Sequence, residues 1–321
     1  GYWIRFFPFG IFFKKMIHPL DWSTTQSKAT LSALYGVASL HGTEPLLEEE
    51  KELIEGVRSI ILKHPEVDYE NAHLQPAELA ELVEDDLHRM HAAQLIGLMP
   101  YAVRPFSTTK LYIAEKFLNA LGQDTHLMED YIGARQKHAL NMEYCALRKL
   151  GRDVFPRADP NGRNDEVLKL IKEAEGDPQV LARYQSLKDY PKGSLGRGFY
   201  DFYSQFDWPL PGDPLWISED LTVRHDLVHI LCDYDISING EFCVSAFAAG
   251  NSSRFNWMIA MLGFTPPYVS TEEHFHPDQF FAAYQRGVDA TESFVDAWDF
   301  WPLMELQISD LRSRYNISTD L

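Results

Sequence analysis

Residues 223–243 read VRHDLVHILCDYDISINGEFC, and the fold is decided here. Val223–Cys232 holds an apolar run broken by two histidines one helical turn apart, His225 and His229. Glu241–Leu262 has the composition of a second helix, and the polar segment between them ends in Asn239-Gly240, a turn signal. The expected unit is a helix, a tight reversal and a returning antiparallel helix. Only Asp235–Asn239 hints at period-two alternation, as a short strand.

The same stretch carries the chemistry. Residues four apart on a helix share a face, so His225 and His229 are close enough to bind one ion. Asp226 sits about 100° further round the helix, as a side ligand or as an orienter of His225. The reversal brings Glu241 back beside the pair, giving two imidazoles with one or two carboxylates. That mixed nitrogen and oxygen set suits a divalent first-row ion. A metalloprotease has Glu after the first His, where this chain has Asp226. His274 and His276, which could extend the set toward a phosphohydrolase, flank Phe275 in what reads as a loop before Pro277. On spacing alone, a metal site and a satisfied structural pair stand equally open.

Working outward, Pro277–Trp298 places Phe280, Phe281, Tyr284, Val288 and Phe294 on one side, and Trp301–Tyr315 closes the chain. Toward the N-terminus, helical spacing marks Leu31–Leu40 up to Gly42, then Leu46–Ile61 with Glu48, Glu49 and Glu50 in its first turns. Pro76 opens a helix through Leu87, and further runs cover Lys110–Leu121 and Thr125–Lys149. Asp85, His88 and His91 read as a solvated helix face. The expectation is all-α, with two helical domains: an N-terminal bundle over 1–150, a Gly/Pro/Asn-rich linker with short helices over 151–189, and a second domain over 190–321.

Lys and Arg total 29 against 47 Asp and Glu, a formal charge of -18, which disfavours nucleic acid as a partner. Three cysteines make no disulfide framework and fit a reducing compartment; Cys232 and Cys243, which bracket the motif, read as buried packing. No transmembrane segment is expected. The opening GYWIRFFPFGIFF with Lys14-Lys15 either packs on its own domain or touches a membrane interface through residues 1–15. The location expected is cytoplasmic or peripheral to the inner face of a membrane. The chain begins at Gly1 without Met, so a removed targeting segment would leave no trace.

His225-Asp226-Leu227-Val228-His229, eleven residues, then Glu241 resembles the His-Asp-x-x-His…Glu pattern of the coenzyme Q biosynthesis Coq-four family. Upstream, Gly193-Ser194-Leu195-Gly196-Arg197-Gly198-Phe199-Tyr200-Asp201-Phe202 is similar to that family's Gly-x-Leu-Gly-x-x-Tyr-x-x-Phe, with the Tyr one position late. The end, Trp301…Glu305…Leu311-Arg312…Arg314-Tyr315-Asn316-Ile317, resembles its closing segment. The resemblance spans about 190–317; residues 1–150 lie outside it. There, LHGTEPLLEEEKELI (40–54) resembles the TerB-like tellurite-resistance helical domain.

The Coq-four resemblance implies an all-α domain in ubiquinone biosynthesis, with zinc or another divalent ion (iron(II), manganese, cobalt) on His225, Asp226, His229 and Glu241. It implies binding of a prenylated aromatic ring and oxidative removal of the ring carboxyl at carbon one, with Asp226 and Glu241 in catalytic roles. The alternatives are a scaffold that binds prenyl lipid and recruits biosynthetic enzymes, and a metal-dependent hydrolase or isomerase of a prenylated substrate. Expected partners are that small molecule, biosynthetic enzymes and a second copy of the chain. Phe242, Phe247, Phe255, Trp257, Met258, Met261 and Phe264 are candidate liners of an apolar channel, though such a stripe is more often plain core.

Overall fold

The hydroxyl of Ser23 accepts from the Gln26 N–H at 3.2 Å, and the Gln26 side chain accepts in return from the Ser23 N–H at 3.0 Å. This reciprocal cap starts the first helix, α1, over Thr24–Ala38. The computed structural model describes residues 20–69, 73–103, 107–122, 176–214, 223–251, 275–294 and 298–318. Among the described residues it is all-α, with no strand; the Asp235–Asn239 strand is not formed. No described helix is long and apolar enough to cross a membrane. The segment 1–15, the helix expected at Thr125–Lys149, Cys145, most of the linker and His274 lie outside the described residues.

Helix α2 (Glu48–Gly56) runs into a π-helical turn at Val57–Ile61. Pro76 does open α3, which covers Pro76–Leu82 and stops short of the expected Leu87. The reason is Asp85, whose carboxylate caps a fresh helix by accepting from the Leu87 and His88 N–H groups. That helix, α4 (Asp86–Leu98), supplies Arg89, whose guanidinium takes the Val83 and Ala80 carbonyls that α3 leaves open. Helix α5 covers Thr108–Ala120. The solvated face expected around His88 is only partly so, because His91 is buried beside Trp22.

The later part holds α6 (Pro178–Gln185), α7 (Leu195–Gln205), α8 (Arg224–Cys232), α9 (Ile238–Asn251), α10 (Pro277–Asp289) and α11 (Ile308–Tyr315). Tyr184 of α6 is fully buried between Phe199 and Trp301, so the segment expected as the end of a linker packs with the residues beyond 190. Gly196 serves close backbone approach: its N–H donates to the Met304 carbonyl at 2.8 Å, and a Cβ there would meet that oxygen at 3.0 Å.

From Phe242 to Gly250, helix α9 is apolar but for Ser245 and correspondingly buried; Phe242 and Phe247 are core. It crosses α10 at contact distance, where a Cβ on Gly250 would stand 2.1 Å from the Tyr284 carbonyl and one on Gly287 2.1 Å from that of Phe247. Helix α10 in turn packs on α2, with the Phe281 ring lying over Gly56. The two parts of the chain thus share a packed contact.

Candidate metal centre

Helix α8 ends where Asp233 adopts the left-handed conformation (φ 61, ψ 38) and its N–H returns to the His229 carbonyl. The reversal expected at Asn239-Gly240 therefore occurs earlier, and those two residues lie in the first turn of α9. Asp235 and Ser237 turn the chain into that helix: Ser237 donates its N–H to the Asp235 carboxylate at 3.1 Å and accepts the Gly240 N–H at 3.1 Å. Glu241 follows one residue later and faces the histidines.

His225, His229 and Glu241 present ligand atoms that all lie within 4.8 Å of one another. His225 Nε2 is 3.0 Å from Glu241 Oε2, His229 Nε2 is 3.4 Å from Glu241 Oε1, and the two Nε2 atoms are 3.2 Å apart. Ligands about 2.0–2.1 Å from a tetrahedral ion stand about 3.3 Å from one another; the two imidazole nitrogens are close to that spacing, and each meets a different oxygen of the Glu241 carboxylate.

Burial works against charge on His225 and Glu241, and their mutual attraction outweighs it. Burial alone would lower His225, but the Glu241 carboxylate raises it overall. Burial alone would raise Glu241, but first His225 and then His229 hold it well below the carboxylate range. Two neutral imidazoles and a carboxylate carry one negative charge; a divalent ion makes the set a net cation.

Asp226, expected as the fourth ligand, lies outside this group. It is buried, and its Oδ2 accepts from the Tyr203 hydroxyl of α7. Burial, opposed by His225, raises its carboxyl above the usual range. Cys232 and Cys243 are free and buried, their thiols pushed up to about 12 by that burial, which fits packing. His276 caps α10. Of the channel candidates, Phe255, Trp257, Met258, Met261 and Phe264 lie outside the described residues.

Sequence reading gave no role to the residues that frame the centre, although Phe202 and Arg312 lie in the stretches that carry the resemblance. Phe202 stacks on the His229 ring (5.8 Å between centroids, 27°), and Phe206 and Trp208 continue the aromatic row toward solvent, Trp208 being 39% exposed. Tyr203, Tyr234, Arg286 and Arg312 hold α8 from other elements. A further sequence signal was Arg286 on a helix whose neighbours three before and four after, Ala283 and Ala290, are apolar.

No protein-family model, curated protein or solved structure matches the chain.

Proposed function

We propose that this chain is a divalent-metal protein that binds an aromatic acid, with His225, His229 and Glu241 as the ligands, zinc as the first candidate ion, and a prenylated hydroxybenzoate as the substrate class. The observation that carries it is the convergence of two imidazole Nε2 atoms, 3.2 Å apart, on the Glu241 carboxylate of the next helix, at 3.0 Å from Oε2 and 3.4 Å from Oε1. The ring and its tail come from the Coq-four resemblance, and so does the reaction served, removal of the ring carboxyl.

When bound, the ion would act as a Lewis acid toward the carboxylate or phenolate oxygens of the ring. Glu241 holds the charge of the ligand set at one negative, so the loaded site favours an anion. Phe202, stacked on His229, offers an apolar flank beside the ligand atoms, and Trp208 extends it outward, which suits an aromatic ring over a small inorganic anion. Asp226 sits beside His225 in sequence and is held by Tyr203, so its role in this reading is to fix α8 rather than to bind the ion.

The test is elemental analysis of protein purified without added metal, followed by Zn²⁺ titration of the stripped chain. One ion per chain is expected, with affinity reduced at least a hundredfold in Glu241→Gln and His229→Ala. A wild-type chain that takes up no ion at millimolar Zn²⁺ rejects the reading. Carbon dioxide release from a prenylated hydroxybenzoate, lost in Glu241→Gln, tests the reaction; a loaded protein that neither binds nor turns over that compound rejects the substrate class.

A further inference from the structure

Three consecutive carbonyls at the C-terminal end of α8 are taken by two arginines from distant elements. Arg312 of α11 donates Nε to the Leu231 carbonyl at 2.8 Å and Nη2 to that of Ile230 at 3.1 Å. Arg286 of α10, itself buried, donates Nη2 to the Cys232 carbonyl at 3.0 Å and also to that of Ser318. Positive charge is favourable at a helix C-terminus. Arg286 does more than cap. Its Nη1 donates to the Tyr234 hydroxyl at 2.8 Å, and its guanidinium lies 4.9 Å from the Tyr234 ring centroid.

Tyr234 is joined in turn to His229 at two points. Its N–H donates to the His229 carbonyl at 3.1 Å, and its own carbonyl faces the His229 Nδ1 at 3.2 Å. A carbonyl can only accept, so Nδ1 carries the proton. In the neutral ring the lone pair is then on Nε2, the atom that faces His225 and Glu241.

We infer that Arg286 is a positioning residue for His229: by pinning Tyr234 it holds the carbonyl that selects the His229 tautomer and ring plane, and so sets how tightly the site holds a divalent ion. The inference rests on the metal reading for its consequence, but the tautomer can be read without metal.

The test compares the full-length wild type with Tyr234→Phe, Arg286→Gln and Arg286→Lys. Tyr234→Phe keeps the ring and removes only the bonded hydroxyl. In metal-free protein, ring ¹⁵N shifts should show His229 protonated at Nδ1 in the wild type. Mixed tautomers are expected in Tyr234→Phe and Arg286→Gln, with a return toward the wild-type pattern in Arg286→Lys. Zn²⁺ affinity should fall about tenfold in Tyr234→Phe. An unchanged His229 pattern and affinity in a folded Tyr234→Phe overturns the inference, even if Arg286→Gln fails to fold. If the wild type binds no Zn²⁺, the metal reading and its consequence for affinity fall together, while the ¹⁵N comparison still decides the positioning role.

Discussion

The Tyr203 hydroxyl donates to Asp226, so the carboxylate next to His225 in sequence is satisfied by α7, whereas His225 itself faces Glu241 of α9. Asp226→Asn should therefore keep one Zn²⁺ per chain, where Glu241→Gln should not. Tyr203→Phe should cost about 1–3 kcal/mol of stability, because a buried acceptor loses its donor. Metal stoichiometry and chemical denaturation of the same variants check both. Loss of the ion in a folded Asp226→Asn would restore the four-ligand set.

In the N-terminal helices, Lys110 Nζ lies 2.5 Å from Glu50 Oε1, with Glu50 fully buried and its other oxygen accepting the Leu47 N–H at 3.0 Å. Lys110→Met leaves a buried carboxylate without its cation, which costs about 3–5 kcal/mol. The double variant Glu50→Gln, Lys110→Met should recover most of that loss. A double-mutant cycle by denaturant unfolding measures it; additive losses would show that the pair is not coupled.

His91 is buried beside Trp22, and its pKa is lowered from 6.5 to about 3, chiefly by desolvation. The unfolded chain binds this proton below about 6.5 and the folded chain does not until about 3. Its neutral form therefore supports the fold at neutral pH, and that support is lost as pH falls through this window, by up to about 1.4 kcal/mol per pH unit. His91→Leu should flatten the acid limb of stability between pH 6 and about 4, against wild type in the same titration. Parallel limbs would remove His91 from the acid response.

Gly240 stands so close to Asp235 that a Cβ would meet its carbonyl at 2.1 Å. Gly240→Ala should cost about 1–3 kcal/mol through overpacking. Because Glu241 is the next residue, Zn²⁺ affinity should drop with it. Ala at the exposed Glu52 of α2 is the control, expected to change neither. Unaltered Zn²⁺ affinity in Gly240→Ala would show that the turn and the ligand are independent.

The helices were legible because their causes are local. Spacing marked α5 and α8 within a residue or two and the start of α10, and Pro76 marked the start of α3. Helix α10 ends at Asp289, well before the expected Trp298, and α1 starts at Thr24, ahead of the expected Leu31. Where the reading missed a boundary, at Leu87 and at Asn239-Gly240, a capping side chain outweighed the pattern: Asp85 starts a new helix, and Ser237 draws Asn239 and Gly240 into α9. His91 shows the opposite limit, since a histidine on a charged stretch is buried in the tertiary structure, with the Trp22 ring 6.3 Å from its own.

The cation site divides along the same line. A spacing of four fixes His225 and His229 on one face of α8 whatever surrounds them, and the short loop limits where Glu241 can go. Which neighbour covers which face is not local. Asp226, one residue on, points round the helix to α7, and its partner Tyr203 is 23 residues away in sequence. Arg286 reaches α8 from 54 residues away. Helical periodicity sets the directions in which side chains leave α8; the packing of α7, α9, α10 and α11 around it settles what each one meets.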